Sequence, residues 1–315
     1  MGRIAHLFRL RYSKHPFQAI GTRMSNSKDT RLNLSAGMMS AAVALVLVVA
    51  KLWALGETGA LSVAASLADS MLDLMVSLGG LVAIAYAARP PDKDHAFGHS
   101  SAEDLAALGQ SVFILASAAV ITWAAIARLI SGPPSPIMAE GRGMIVMGLS
   151  IVLTLGLVLW QRRVIKATGN RVVRADQLHY MGDLVPNIGA ILSLGASAWF
   201  GLGQIDNIVA LGAAAVLAAG ALRIGKSAWD ALMDRGAPPE MIAGIEALAR
   251  DWPGLEGFHD LKTRTAGSRV FINLHVEIDG SLSLYDAHAI GAGLCHAILK
   301  AYPQADVIIH KDPAR

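Results

Sequence analysis

Four residues stand out by type and spacing. Asp69 and Asp73 sit four apart in the run Ser66-Leu67-Ala68-Asp69-Ser70-Met71-Leu72-Asp73, and His179 and Asp183 sit four apart in His179-Tyr180-Met181-Gly182-Asp183. Four residues turn an α-helix by about 400° and advance it about 6 Å, so each pair projects from one face of its helix. Two such helices facing each other would offer three carboxylates and one imidazole, the ligand number that tetrahedral Zn2+ takes. Three uncompensated aspartates in hydrocarbon would cost roughly 7–10 kcal/mol, so a cation, protons or a wet cavity must accompany them. Metal binding needs neutral histidine and ionised carboxylate, so metal and protons compete for the same atoms. That competition is the chemistry of exchange at one site exposed alternately to two sides. Helix capping, or pairing with Lys51 or a nearby arginine, is the purely structural alternative.

Further histidines cluster outside these runs. The stretch Asp92-Lys93-Asp94-His95-Ala96-Phe97-Gly98-His99 sets two imidazoles four apart behind acidic residues. Asp92, His95 and His99 would suit zinc with one open position, and a solvated loop is the bland alternative. Five of the ten histidines fall from position 259 onward: His259, His275, His288, His296 and His310, with Asp312 two residues after the last.

These residues need elements to hold them. The 315-residue chain is 54% hydrophobic and 16% charged, against about 25% charged in soluble domains, and its mean hydropathy is +0.47. Six segments reach the roughly 20 apolar residues that cross a bilayer: 32–55, 60–88, 104–130, 143–164, 178–200 and 205–230. Lys and Arg gather in the 2–3 loop (Arg89, Lys93) and the 4–5 loop (Arg162, Arg163, Lys166, Arg171, Arg174). The positive-inside rule therefore puts these loops, the basic tail 1–31 and the C-terminus in the cytoplasm. No apolar stretch with a cleavage site follows the tail's charges within a signal-peptide window.

After Asp234 the composition changes. The pattern predicts a helix over 239–250, strands near 255–264 and 270–278 with Gly267 in the turn, a helix over 284–300 and a strand at 306–310. In 270–278 every even position is apolar, the period of a half-buried strand, so His275 points away from the core. The expected fold is thus an α-helical membrane protein with six transmembrane helices in 32–234, and a small cytoplasmic α+β domain of order αββαβ in 235–315.

Taken together, the paired motifs, the six spans and the C-terminal domain resemble the cation diffusion facilitator family, over nearly the whole chain after the tail. Within it the chain is most similar to the bacterial zinc and ferrous-iron efflux type. The resemblance implies a homodimer in the bacterial inner membrane that exchanges metal for protons. Zn2+ is the expected cargo, with Cd2+ or Fe2+ as alternatives. It implies a transport site of Asp69, Asp73, His179 and Asp183, a second site of Asp92, His95 and His99, and a binuclear site of His259, His275, His288, His310 and Asp312. Zn2+ at the last would stabilise or sense, in a metallochaperone-like domain that dimerises. Two departures are visible. Relatives often carry Lys shortly after the loop histidines, pairing with the counterpart of Asp234, where this chain has Ser101. Lys311 adds a positive charge between His310 and Asp312, where a neutral amide is common.

Other classes lose ground on the same sequence. There is no Gly-xxxx-Gly-Lys-Ser/Thr loop for a nucleotide and no His-Glu-xxx-His signature of a metallohydrolase. A net charge of +3 gives no argument for nucleic acid. The expectation is a carrier rather than an enzyme. A metal-selective channel or a non-transporting metal receptor remains the alternative, and neither would need protons in return.

Overall fold

The computed structural model describes residues 27–58, 61–131, 141–184 and 205–314. The expected tail 1–31 lies almost wholly outside these residues, as does 185–200 of the expected fifth span. The helices are α1 (Ser27–Thr58), α2 (Leu61–Ala87), α3 (Ser101–Ser131), α4 (Gly141–Thr168), α5 (171–184 as described) and α6 (Ile205–Leu232). Among the described residues five helices are long and apolar enough to cross a membrane: Lys28–Gly56, Asp69–Ala87, Ser101–Ala127, Gly148–Thr168 and Leu211–Leu232. Their outward faces carry Met75, Val82, Trp123, Val152 and Val216, all exposed. Such a surface is stable against lipid rather than water.

Within the bundle α1 packs on α2 and α4, α2 on α3, and α3 on α6. Small residues, among them Ala107, Ala118, Ala221 and Ala228, are fully or nearly fully buried at these contacts and let the helix backbones approach closely. Helices α2 and α5 run in opposite directions, since Ile84 packs with Val172 at one level and Asp73 meets His179 at another.

The C-terminal part is α7 (Pro239–Arg250), β1 (Gly257–Ala266), β2 (Arg269–Ile278), α8 (Leu284–Ala301) and β3 (Ala305–Pro313), in the expected αββαβ order. The sheet order is β1-β2-β3, antiparallel then parallel. Val270, Ile272, Leu274, Val276 and Ile278 bury the even face of β2 against Met241, Ile245 and Ala249 of α7 and Leu294 and Ile298 of α8. Proline opens α7 at its first turn, and the Ser283 hydroxyl caps α8 by accepting from the Asp286 N–H at 3.1 Å.

Phe271 breaks the alternation, being buried on the odd face. There it meets Phe97 of the 2–3 loop edge-on at 5.5 Å, and the Arg264 guanidinium lies 4.3 Å from its ring centroid. Arg264 also pairs with Asp234 at 3.3 Å. The acidic residue that Ser101 cannot serve thus has a cation from β1. Beside this contact the β1–β2 turn inserts into the bundle. The Gly267 N–H donates to Asp104 Oδ2 at 2.6 Å, and fully buried Asp104 forms an ion pair with Arg171 of α5. Arg171 Nε reaches Ser227 Oγ of α6 at 3.2 Å.

Gly267 has φ 54, and a Cβ there would stand 2.3 Å from the Ser100 carbonyl oxygen. Gly267→Ala is therefore expected to cost about 1–3 kcal/mol by forcing the seam apart. It should lower the thermal midpoint of the purified chain. Gly212→Ala on α6, where a Cβ meets nothing within 4 Å, should leave it unchanged or raise it slightly.

Candidate metal-binding sites

Three groups of histidine and carboxylate side chains come together among the described residues: Asp73–His179–Asp183, Asp92–His95–His99 and His259–His275–Asp312, each with ligand atoms within 4.8 Å of one another. All three combine imidazole with carboxylate, a donor set suited to a divalent transition metal.

In the bundle, His179 Nε2 lies 2.9 Å from Asp73 Oδ1, and His179 is buried while Asp73 is half-buried. Phe113 of α3 stands edge-on to the imidazole at 5.6 Å. Asp69 is not part of this group, although it shares the face of Asp73. The antiparallel run of α2 and α5 that sets Asp73 opposite His179 also brings Asp69 to the level of Asp183, yet its carboxylate stays outside the 4.8 Å that joins the other three. Lys51 of α1 sits close by. Its ammonium donates to Ser70 Oγ at 2.6 Å and lies within electrostatic reach of Asp73, Asp69 and Asp183.

One turn away is a polar cluster that the sequence reading missed. Asp176 of α5 is buried and accepts from Ser40 of α1 at 2.5 Å, Gln161 of α4 at 2.7 Å and Ser77 of α2 at 3.5 Å. The Tyr180 hydroxyl lies 2.8 Å from Ser77 Oγ and 3.3 Å from the Ser40 carbonyl oxygen. Asp176 precedes the expected start of the fifth span at 178 and so fell outside the runs in which intramembrane charges stood out. Its i−3 spacing from His179 was the available signal.

The loop group is built by an Asx turn. Asp92 Oδ1 accepts the backbone N–H of His95 at 2.7 Å and of Asp94 at 3.0 Å. These bonds, the His95 N–H foremost, hold the Asp92 carboxyl below its ordinary range. Asp92 also meets His95 Nδ1 at 3.2 Å and His99 Nε2 at 3.1 Å. His95 is exposed, whereas His99 is buried with its ring 4.6 Å from that of Tyr86.

Strand register builds the third group. His259 pairs with His275 across β1–β2, and His275 with His310 across β2–β3, so three imidazoles form one row. Directly paired residues share a face with Cβ atoms about 5 Å apart. The rings are 5.2 Å and 4.7 Å apart along the row. Asp312 ties them together, at 2.9 Å from His275 Nδ1, 3.4 Å from His259 Nε2 and 3.2 Å from His310 Nε2. The His275 hydrogen bond is the main reason its carboxyl lies below the ordinary value. Glu277, 3.8 Å from His259, is an acidic neighbour that the sequence reading did not name. Lys311 alternates to the opposite face, where its stem would meet a Cβ on Gly291 of α8 at 2.6 Å, and so points away from the ligands. His310 joins through Asp312 and through its ring beside that of His275. His288 is exposed on α8 and stands outside the group, because α8 packs on the other face of the sheet.

Residues 38–233 match the cation efflux transmembrane domain, and residues 237–314 match the cation efflux protein cytoplasmic domain. The chain belongs to the cation diffusion facilitator family. It is 40% identical to the cation-efflux pump FieF of Klebsiella pneumoniae over 92% of this chain and 95% of that one. To FieF of Pectobacterium atrosepticum it is 43% identical, over 91% and 95%. A solved structure, the metal-bound C-terminal domain of the CzcD transporter from Thermotoga maritima, is 31% identical over 24% of this chain and 87% of that one, with a TM-score of 0.23. The transporter is thus a cation efflux protein with a membrane-embedded and a soluble part.

For the row on the sheet, Asp312→Ala is expected to lower zinc affinity about tenfold or more. The measurement is calorimetric titration of the full chain carrying Asp73→Ala and His99→Ala, which silence the other two groups. Binding should weaken on acidification, because metal and protons compete for the same donor atoms, while the Asp312 carboxyl is held below its ordinary range by the His275 hydrogen bond. Affinity that survives Asp312→Ala would move the site off the sheet.

Proposed function

We propose that the transporter exports a divalent transition metal, zinc first, from the cytoplasm in exchange for protons, by alternating exposure of one site. The observation that supports this best is the meeting of Asp73, His179 and Asp183 on facing helices of an apolar bundle, with His179 buried between them. A site of this composition holds metal when deprotonated and protons when empty, which couples the two fluxes without a nucleotide. Asp69 completes the ligand set if α2 slides or rotates by part of a turn. Cd2+ and Fe2+ fit the same donors, and affinity order alone does not choose among them.

The remaining assignments belong to the same reading. The site on the loop and the row on the sheet take Zn2+ from the cytoplasm, the latter joined by His310, in a stabilising or sensing role. The chain acts as a homodimer in the bacterial inner membrane, with residues 32–234 as transport unit and 235–315 as cytoplasmic unit. Arg89 and Lys93 in the 2–3 loop, and Arg162, Arg163, Lys166, Arg171 and Arg174 in the adjoining ends of α4 and α5, gather at the end of the bundle where Asp104 meets Gly267, which supports a cytoplasmic location for that end and for both termini. The exported ion is cargo, so no catalytic residues are assigned.

The test is zinc flux into proteoliposomes with and without an imposed pH gradient. Flux should rise with the gradient and fall to the level of empty vesicles in Asp73→Ala. Flux indifferent to pH would favour a channel. Tight zinc binding without flux would favour a receptor.

A further inference from the structure

Asp176 belongs to none of the three ligand groups, yet it is among the most thoroughly bonded side chains of the bundle. Its carboxylate receives Ser40 from α1, Ser77 from α2 and Gln161 from α4. The Tyr180 hydroxyl closes the ring against Ser77 and Ser40. One side chain on α5 therefore joins four helices at one level. The contacts from Ser40 and Gln161, at 2.5 Å and 2.7 Å, are short bonds to a desolvated carboxylate, and losing them leaves that group without compensation. Such a hub has two stable conditions: dry with its donors in place, or parted and hydrated.

Its position gives it a role. Ser77 lies four residues after Asp73 on α2, and Asp176 lies three before His179 on α5. The hub is thus about one helical turn from the Asp73–His179 contact, toward the α/β domain. On that side Ala36, Ile84, Val164, Val172 and Val173 form a buried apolar plug between the same four helices. Between hub and plug is a cavity of about 10 Å3 lined by Gly37, Ser77, Gly80 and Asp176 among others, room for about one water.

We propose that Asp176 is a positioning residue that latches the transport site shut on the α/β-domain side. While its hydrogen bonds hold, the ligand-bearing helices α2 and α5 are pinned to α1 and α4 above the plug. Parting of the hub and entry of water open the site to that side. The inference rests on the alternating-exposure reading above, since a latch serves only a site that opens in turn.

The test uses the full chain with Cys295, the only cysteine of the sequence, replaced by Ser, and a reporter Val173→Cys in the plug. Labelling by an impermeant maleimide applied from the α/β-domain side is expected to be slow with Asp176 intact. In Asp176→Ala, which strips three contacts, it should be about tenfold or more faster. Asp176→Asn, which keeps one acceptor oxygen, should fall between. Tyr180→Phe, of the same shape, should give a smaller rise. In flux assays the unlatched variants should show a lower KM for metal presented on that side together with a lower maximal rate. A merely destabilised transporter loses rate at unchanged KM. Unchanged labelling in both Asp176→Ala and Tyr180→Phe overturns the latch. So does an equal rise at a reporter Leu294→Cys in the α/β core, which marks general loosening. If Asp176→Ala fails to fold, Tyr180→Phe and Gln161→Met decide by the same readout. Failure of the latch with normal proton-driven flux in the parent chain leaves the transport reading standing, whereas absent parent flux removes that reading and not the hub.

Discussion

Ionisable groups inside hydrocarbon must be compensated, and the contact between His179 and Asp73 is where this protein meets that demand most directly. An imidazole and a carboxylate 2.9 Å apart can share a proton or give way together to a cation. The surroundings follow from this. Lys51 brings a positive charge near three carboxylates, and Asp176 is surrounded by donors from three other helices. The α3–α6 contacts, by contrast, are built mainly from alanines with Ile114, Leu217 and Ile224, and a buried carboxylate on α3, Asp104, is paired with Arg171. Polar investment is concentrated around α2 and α5, the helices that carry the ligands.

The same economy appears where the two parts of the chain meet. A soluble domain could hang from α6 by a flexible linker. Instead the β1–β2 turn is seated on a buried ion pair, and an arginine is held between two phenylalanines and an aspartate. The loop carrying Asp92, His95 and His99 contributes one of those phenylalanines, Phe97. The loop group and the sheet are consequently parts of one packed unit, and a displacement of either is felt by the start of α3 and of α5.

Much of this was legible in the sequence because it is periodic. The i, i+4 pairs placed Asp73 and Asp183 with His179, and alternation in 270–278 gave both the core face of β2 and the outward direction of His275. What periodicity cannot carry is partnership between distant segments. Phe271 sits on the wet face by alternation and is buried because Phe97, far away in the chain, covers it. Asp234 has Arg264 in place of the lysine that Ser101 replaces. The meaning of Asp176 depends on Ser40, Ser77 and Gln161 arriving from three other helices. Asp69 came from its spacing to Asp73 and His288 from the family resemblance; the carboxylate of the first stays just outside the bundle group, and the face of the sheet on which α8 packs sets the second apart from the row.

The row of histidines has one further implication, for how this domain can change over generations. Its ligands come from three strands, and the third is parallel to the second, so alignment is set by the crossover through α8 rather than by a tight turn. A shift of β3 by one residue would bring Lys311 into line with His275 and turn His310 and Asp312 onto α8. The donor set would be exchanged for an ammonium in a single step. Insertions or deletions between Ile278 and Ala305 are therefore constrained to those that the loops flanking α8 can absorb without moving β3. Point substitutions on the exposed side of the same helix carry no such restriction.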